Sequence, residues 1–248
     1  MNLLGFANRH AEDPRTEGSF RQLQALKGHQ NERLETFEPA WQLPLGWILR
    51  PRLASDHEGI RLLMLRVYPP PHGPECVWSA ANLEQHLRHF ADGQLVIQDG
   101  RGTLRATSST MRVNRERALA PHTWLEITEK GTLRTHEPEG EFLYGVNIAV
   151  DPVFQGLGLG RALYDSRFRL GRSLGCTAFA AGARIPGFHR VASWCSPREY
   201  VRKVAAGELH DPTLSKQLAL GFQVAGVLLD YAFDHETLGH AALIIKNL

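Results

Sequence analysis

Gln155, Gly156, Leu157, Gly158, Leu159, Gly160 and Arg161 form one run, QGLGLGR, with glycine at three alternate positions. Glycine packs nothing and loses the most backbone freedom on folding, so such a cluster implies that something must come close to the main chain. The run follows the apolar stretch EFLYGVNIAV and its Asp151-Pro152 exit. It precedes Leu159, Leu163, Leu170 and Leu174 at helical spacing. Strand, glycine turn, helix is the expected order. A helix start carries unpaired N–H groups and a partial positive charge, and glycine lets an anion reach them, so the chemistry indicated is phosphate binding. A turn that only lets the helix pack close to a sheet is the plain alternative. A dinucleotide fingerprint would need glycine at Arg161, and a P-loop would need a Lys-Ser/Thr ending, so neither applies.

Other constellations are weaker. Gly171-Arg172-Ser173-Leu174-Gly175 fits the Gly-x-Ser-x-Gly nucleophile elbow. That motif needs a strand before the serine and a helix after it, the reverse of the order here. His86 and His89 fall three apart on a predicted helix without a carboxylate or cysteine set to complete a metal site, and read as a surface pair. Glu126, Glu129 and Glu141 offer bases, but their spacing selects none. Cys76, Cys176 and Cys195 are odd in number and lack Cys-x-x-Cys spacing, which suits a reducing compartment.

These groups need elements to position them. WILRPRL reads as a strand. SDHEGIRLLMLRVY reads as a helix capped by Ser55 with Glu58 three residues on, and the PPPHGP stretch ends it. SAANLEQHLRHFA is a second helix, followed by strands QLVIQ and LRATSSTMRV joined through Asp99-Gly100. Residues 114–121 read as a loop, and HTWLEIT and EFLYGVNIAV as further strands. Residues 1–45 are polar and lack sustained periodicity, so they are expected to form an N-terminal extension ahead of a domain spanning 46–248.

The string from Gln155 to Gly160 fits Gln/Arg-x-x-Gly-x-Gly/Ala, and so resembles the pyrophosphate-binding signature of the GNAT superfamily of acyl-CoA N-acyltransferases. Downstream, CTAFAAG looks like the following strand. DPTLSKQLALGFQVAGVLLDY looks like the last large helix and a strand, with Asp211-Pro212 as its cap and Gly221 as its stop, and GHAALIIKNL looks like the closing strand. LYGVNIAV, AGARIPGFH and DPTLSKQLALGF are similar to the acyltransferase module that some bacteria fuse to nitrilase-type hydrolases. The resemblance implies an α/β fold with a mixed, mostly antiparallel sheet of six or seven strands flanked by helices.

It also implies roles. Asn147, Ile148, Ala149 and Val150 would form a strand that splays from its neighbour and pairs with pantetheine. The amides of Gln155, Gly156, Leu157, Gly158, Leu159 and Gly160 would cradle the pyrophosphate of coenzyme A, with Arg161 beside it. A main-chain N–H at or next to Ile148 would hold the oxyanion as an amine attacks the thioester of acetyl-CoA. Two usual acid-base side chains are missing. Tyr144 stands where histone-type relatives carry a glutamate, and Gln217 where many relatives carry a tyrosine. Tyr144 is the candidate proton relay, with an ordinary packed strand tyrosine as its alternative. The stretch 184–210 is longer than the superfamily's usual connection and is expected to shape the acceptor pocket or a lid. Arg184 and His189 within it would position an acid-bearing acceptor or assist proton transfer, with solvent contact and a capping role as the alternative. Arg161, Arg167, Arg169, Arg172, Arg202 and Lys203 are candidates for the coenzyme's 3′-phosphate or for a solvated face.

The chain has 248 residues, 43% hydrophobic and 22% charged, with a formal charge of +2. Diffuse nucleic-acid binding is not indicated, and any anion site must be local. The opening residues have too short an apolar stretch for a signal peptide, and no run nears the roughly 20 apolar residues of a membrane span, so a cytoplasmic protein is expected. The expected partner is a small-molecule or peptide amine, with neither nucleic acid nor membrane, and a homodimer stays open. An N-acetyltransferase, a non-catalytic acyl-CoA-binding domain, and a hydrolase or other anion-binding protein are the function classes that remain.

Overall fold

A computed structural model describes residues 43–44, 46–70, 72 and 76–248. The polar extension expected over 1–45 lies almost wholly outside the described residues. The elements run β1 (Ile48–Pro51), α1 (His57–Val67), α2 (Ala80–Phe90), β2 (Gln94–Gln98), β3 (Leu104–Val113), α3 (Arg115–Leu119), α4 (Trp124–Ile127), β4 (Phe142–Val150), α5 (Leu159–Ser173), β5 (Ala178–Arg184), α6 (Pro197–Ala205), α7 (Leu214–Ala219), β6 (Gln223–Leu228) and β7 (Ala241–Asn247). The strands form one seven-stranded sheet in the order β1-β2-β3-β4-β5-β7-β6. Every neighbouring pair is antiparallel except β4 and β5, which run parallel.

The two faces of the sheet carry separate cores. Leu143, Phe179, Ala181 and Ala183 pack with Tyr164 and Phe168 of α5 and with Tyr200, Val201 and Val204 of α6. On the other face Phe142, Tyr144, Val146, Ala178 and Ala180 pack with Ile60 and Met64 of α1 and Leu83 of α2. Alternate strand residues thus serve opposite layers, as a pleat demands.

Three local expectations fail for capping reasons. HTWLEIT is a helical turn instead of a strand: Thr123 accepts from the Glu126 N–H while Glu126 accepts from the Thr123 N–H, a reciprocal capping box. Residues 114–121 are not all loop, because Asn114 caps α3 by accepting from the Arg117 N–H at 2.8 Å. At the first helix Ser55 is not the cap. Asp56 accepts from the Leu53 N–H and pairs with Arg50 at 2.7 Å, and α1 starts after it.

The stretch after β5 is core, and not a lid. Ile185, Phe188, Cys195, Tyr200, Val201 and Val204 are buried against α5 and α7. Asp211 pins it: one carboxylate oxygen accepts from the Gly187 N–H and the Tyr200 hydroxyl, both at 2.9 Å, while the other accepts from the N–H groups of Thr213 and Leu214. The N-cap of the last helix is Thr213 and not Asp211, but Asp211 accepts from the Thr213 and Leu214 N–H groups at its start and so ties the insertion to it. No helix among the described residues is long and apolar enough to cross a membrane.

Candidate active site

The site begins where β4 and β5 part. Their pairing covers only Phe142 to Gly145 against Ala178 to Ala181. Beyond Gly145 the two strands diverge, and the β5-facing main chain of residues 146–150 has no strand beside it. A bulge aids this: Ser109 faces Asn147 and Thr110 faces Gly145, so Val146 is one residue extra. The bulge also reverses parity, turning Ile148 toward the α5 layer. Asn147 turns to the opposite face, where its amide donates to the Tyr68 hydroxyl at 3.3 Å.

A cleft of about 810 Å³ runs through this gap. At one end lie Gln155, Gly156, Gly158, Leu159, Gly160 and Arg161, together with Asn147, Ile148 and Val150 from β4. Gly156 and Gly158 have φ of +83° and +82°, a backbone region that side chains disfavour. Gly158 is the N-cap of α5, and the first bond into the helix runs from the Ala162 N–H to its carbonyl at 3.0 Å. The amides of Leu159 and Gly160 thus lie in the first turn, where no intrahelical acceptor exists. A Cβ at Gly156 would meet no protein atom within 4 Å. The loop is anchored from behind by buried Asp151, which pairs with Arg66 at 3.0 Å and Arg105 at 3.3 Å. Of the residues expected here, Leu157 is exposed and Ala149 is buried, and neither borders the cleft.

Tyr144 is fully buried and does not line the cleft, yet it is tied to it. Its hydroxyl lies 3.1 Å from that of Tyr231, which does line the cleft, and 2.8 Å from Nε2 of half-buried His122. Nδ1 of His122 sits 2.8 Å from the Ala120 carbonyl, which only accepts, so Nδ1 carries the proton of a neutral ring. Nε2 then accepts from Tyr144, whose oxygen accepts from Tyr231. Burial lowers the His122 pKa from its usual value and so favours this neutral ring. Burial also raises Tyr144 well above the ordinary tyrosine value, with Tyr231 adding to the rise, and pushes Tyr231 up to about 12. Sequence reasoning missed His122 and Tyr231, which come from a loop and from the β6–β7 connection.

His189 does not join this group. Its ring is exposed, and Nδ1 lies 2.8 Å from the Pro186 carbonyl and 3.2 Å from that of Glu236, so it braces two loops. Arg184 does border the cleft, but Asp234 at 2.5 Å and Glu236 at 2.8 Å hold its guanidinium. Burial opposes its charge and the two carboxylates more than offset that, raising its pKa. An arginine so occupied does not grip an acidic acceptor. With Asp230 also on the wall, this end of the cleft is predominantly acidic. Gln217, in place of the usual tyrosine, donates to the Tyr164 hydroxyl at 2.9 Å, and both line the cleft. Arg202 and Lys203 pair with Glu208 and do not border the cleft. Glu126, Glu129 and Glu141 also stand away from it.

The pair of histidines expected at the surface divides. His86 is buried, with Nε2 2.7 Å from the Gly131 carbonyl and its ring edge-on to Trp78.

Residues 58–191 match the acetyltransferase (GNAT) family. The "Uncharacterized N-acetyltransferase YkwB" of Bacillus subtilis is 31% identical over 190 residues, covering 77% of this chain and 84% of that protein. The "Probable hydrolase YhcX" of the same organism is 33% identical over 157 residues, and the match spans 63% of this chain but only 30% of the hydrolase's length. Among solved structures, the GphF GNAT-like decarboxylase in complex with isobutyryl-CoA superposes with a TM-score of 0.65 at 20% identity, over 80% of this chain and 98% of that one. The parted parallel strands, the glycine turn at a helix start and the family match together place this chain in the GNAT family of acyltransferases.

Proposed function

We propose that residues 46–248 form an N-acyltransferase domain that moves an acyl group from acetyl-CoA or a related thioester directly to an amine, with residues 1–45 as an extension. The observation that carries this reading is a single cleft with an amide-lined glycine turn at one end and a tyrosine–tyrosine–histidine chain at the other. Main-chain N–H groups of Gly156 to Gly160 hold the pyrophosphate, with Arg161 beside them. Pantetheine pairs with the uncovered edge of Asn147 to Val150, and the Ile148 N–H or its neighbour receives the oxyanion.

The acceptor enters from the face bearing Asp230, Asp234 and Tyr231, whose acidity attracts an alkylammonium. That ion has a pKa near ~10.4 and must lose a proton before attack. The proton passes to the Tyr231 oxygen as the Tyr231 proton moves to Tyr144 and the Tyr144 proton to His122 Nε2. No tyrosinate forms, which suits two tyrosines whose ionisation is suppressed. The amine nitrogen then bonds to the carbonyl carbon, the carbon–sulfur bond breaks, and its electron pair leaves on sulfur. Tyr164, whose oxygen accepts from Gln217, gives its hydrogen to the thiolate and takes in its place the second proton that the acylated nitrogen loses as the amide forms.

Two measurements test this. Calorimetric titration of the purified protein with coenzyme A should show saturable binding, and free thiol should appear when acetyl-CoA is mixed with a panel of primary amines. No binding at millimolar coenzyme A overturns the proposal. Binding without thiol release across a broad panel supports a non-catalytic acyl-CoA-binding role.

A further inference from the structure

Arg167 lies in the middle of α5 with 1% of its surface exposed, and it lines the cleft. Nη1 reaches the Asn147 carbonyl at 3.5 Å, and the guanidinium carbon stacks 4.3 Å from the Tyr164 ring centre and 5.1 Å from that of Phe179. Nε and Nη2 have no hydrogen-bond partner. Among the described residues no carboxylate pairs with it, in contrast to Arg184 a short way along the same cleft. The Asn147 carbonyl and the Tyr164 side chain are thus its polar neighbours, and a buried cation with no carboxylate beside it and one guanidinium edge unfilled is costly unless a ligand completes it.

The position identifies which ligand. Tyr164 and Phe179 belong to the layer of α5, the helix that the glycine turn opens, whereas Tyr144 belongs to the other face, and there the Tyr231 ring covers Gly182, which shares its side of β5 with Arg184 by alternation. Asn147 and Phe179 also flank the point where β4 and β5 part, so Arg167 sits under the end of the gap where the acyl chain must lie. The unpaired atoms discriminate further. Nε and Nη2 are the two donors of one guanidinium edge, spaced for both oxygens of a carboxylate, and a departing sulfur would need only one of them.

We propose that Arg167 recognises a carboxylate on the acyl group, so that the preferred donor is the coenzyme A thioester of a dicarboxylic acid. This rests on the acyltransferase reading above and narrows its donor. The carboxylate lies against the Nε–Nη2 edge, and the thioester carbonyl remains at Ile148.

Stable thioethers separate the two proposals. Calorimetric titration of the native protein with carboxymethyl-CoA and carboxyethyl-CoA, against ethyl-CoA, propyl-CoA and free coenzyme A, needs no variant. At least one carboxylated analogue should bind about tenfold to a hundredfold tighter than its neutral counterpart, the range expected of a buried charge-assisted contact. Arg167→Gln should abolish that preference while still binding coenzyme A, and Arg167→Lys should restore part of it. Equal affinity for charged and neutral analogues by a protein that binds coenzyme A overturns the donor assignment and leaves the acyltransferase reading standing. An Arg167→Gln variant that keeps the preference overturns it as well. Failure to bind coenzyme A at all is the result that removes the reading beneath it.

Discussion

Tyr231 and Tyr144 each hold one link of a chain whose direction is set by a single backbone carbonyl, that of Ala120. Tyr231→Phe and Tyr144→Phe each remove one oxygen and should lower kcat by about a hundredfold or more while leaving coenzyme A affinity near native, as loss of general base assistance does. Steady-state kinetics with a responsive amine, paired with titration of coenzyme A, checks this; a Tyr231→Phe enzyme at native kcat would remove the relay. His122 must be neutral to accept, and burial holds its pKa below the usual 6.5. Activity should therefore fall as pH drops through that lowered value and be flat just above 6.5. In His122→Phe the rate should be low throughout and this acid limb absent.

At the scale of elements, the proposed pyrophosphate site is the glycine turn together with the first turn of α5. Gly160 lies within α5, and an added Cβ there would meet only Val150, at 3.9 Å. Within the protein Gly160→Ala is sterically free and improves helix propensity by up to about 1 kcal/mol. Its methyl group would nevertheless occupy the cleft that Gly160 lines. The variant should thus melt at or above the native temperature yet bind coenzyme A about tenfold or more weakly, opposite signs that a purely structural glycine would not give. Thermal melting and titration on the same sample decide it, and native affinity in Gly160→Ala would count against a pyrophosphate at this turn.

Across the whole molecule, acid stability should depend on histidines that the active site does not use. Burial lowers His86 to about 3, with Arg52 adding to the effect, and lowers His136 to about 4, with Arg112 adding. Both are depressed from an unfolded value of 6.5. Between the two values the unfolded chain binds more protons than the folded one, so stability rises with pH there and is lost as pH falls. The melting temperature should drop as pH goes from 6.5 toward 4, by an amount reflecting a few kcal/mol. Melts in a pH series measure it, and His86→Gln should flatten the slope. A pH-independent melt over that window would show that neither ring titrates with unfolding.

What the residues alone determined was local. Alternation and glycine spacing marked β4, the turn and α5, because a pleated strand and a helix start have chemical signatures within a few positions. The family motif adds the expectation of a splayed strand. The box Thr123-Trp124-Leu125-Glu126 was also legible in principle, and lost out to the β-forming tryptophan and isoleucine beside it. Tertiary structure alone decided which side chains meet. His122 and Tyr231 reach Tyr144 from 22 and 87 residues away, and no periodicity links them. It also decided charge: Arg184 meets Asp234 and Glu236 across the β6–β7 connection, whereas Arg167, read in sequence as one of several helix arginines, is enclosed with no acid beside it. Spacing records neighbours along the chain, but the worth of a charge or a hydroxyl depends on the dielectric and the partners around it, and only the folded packing supplies those.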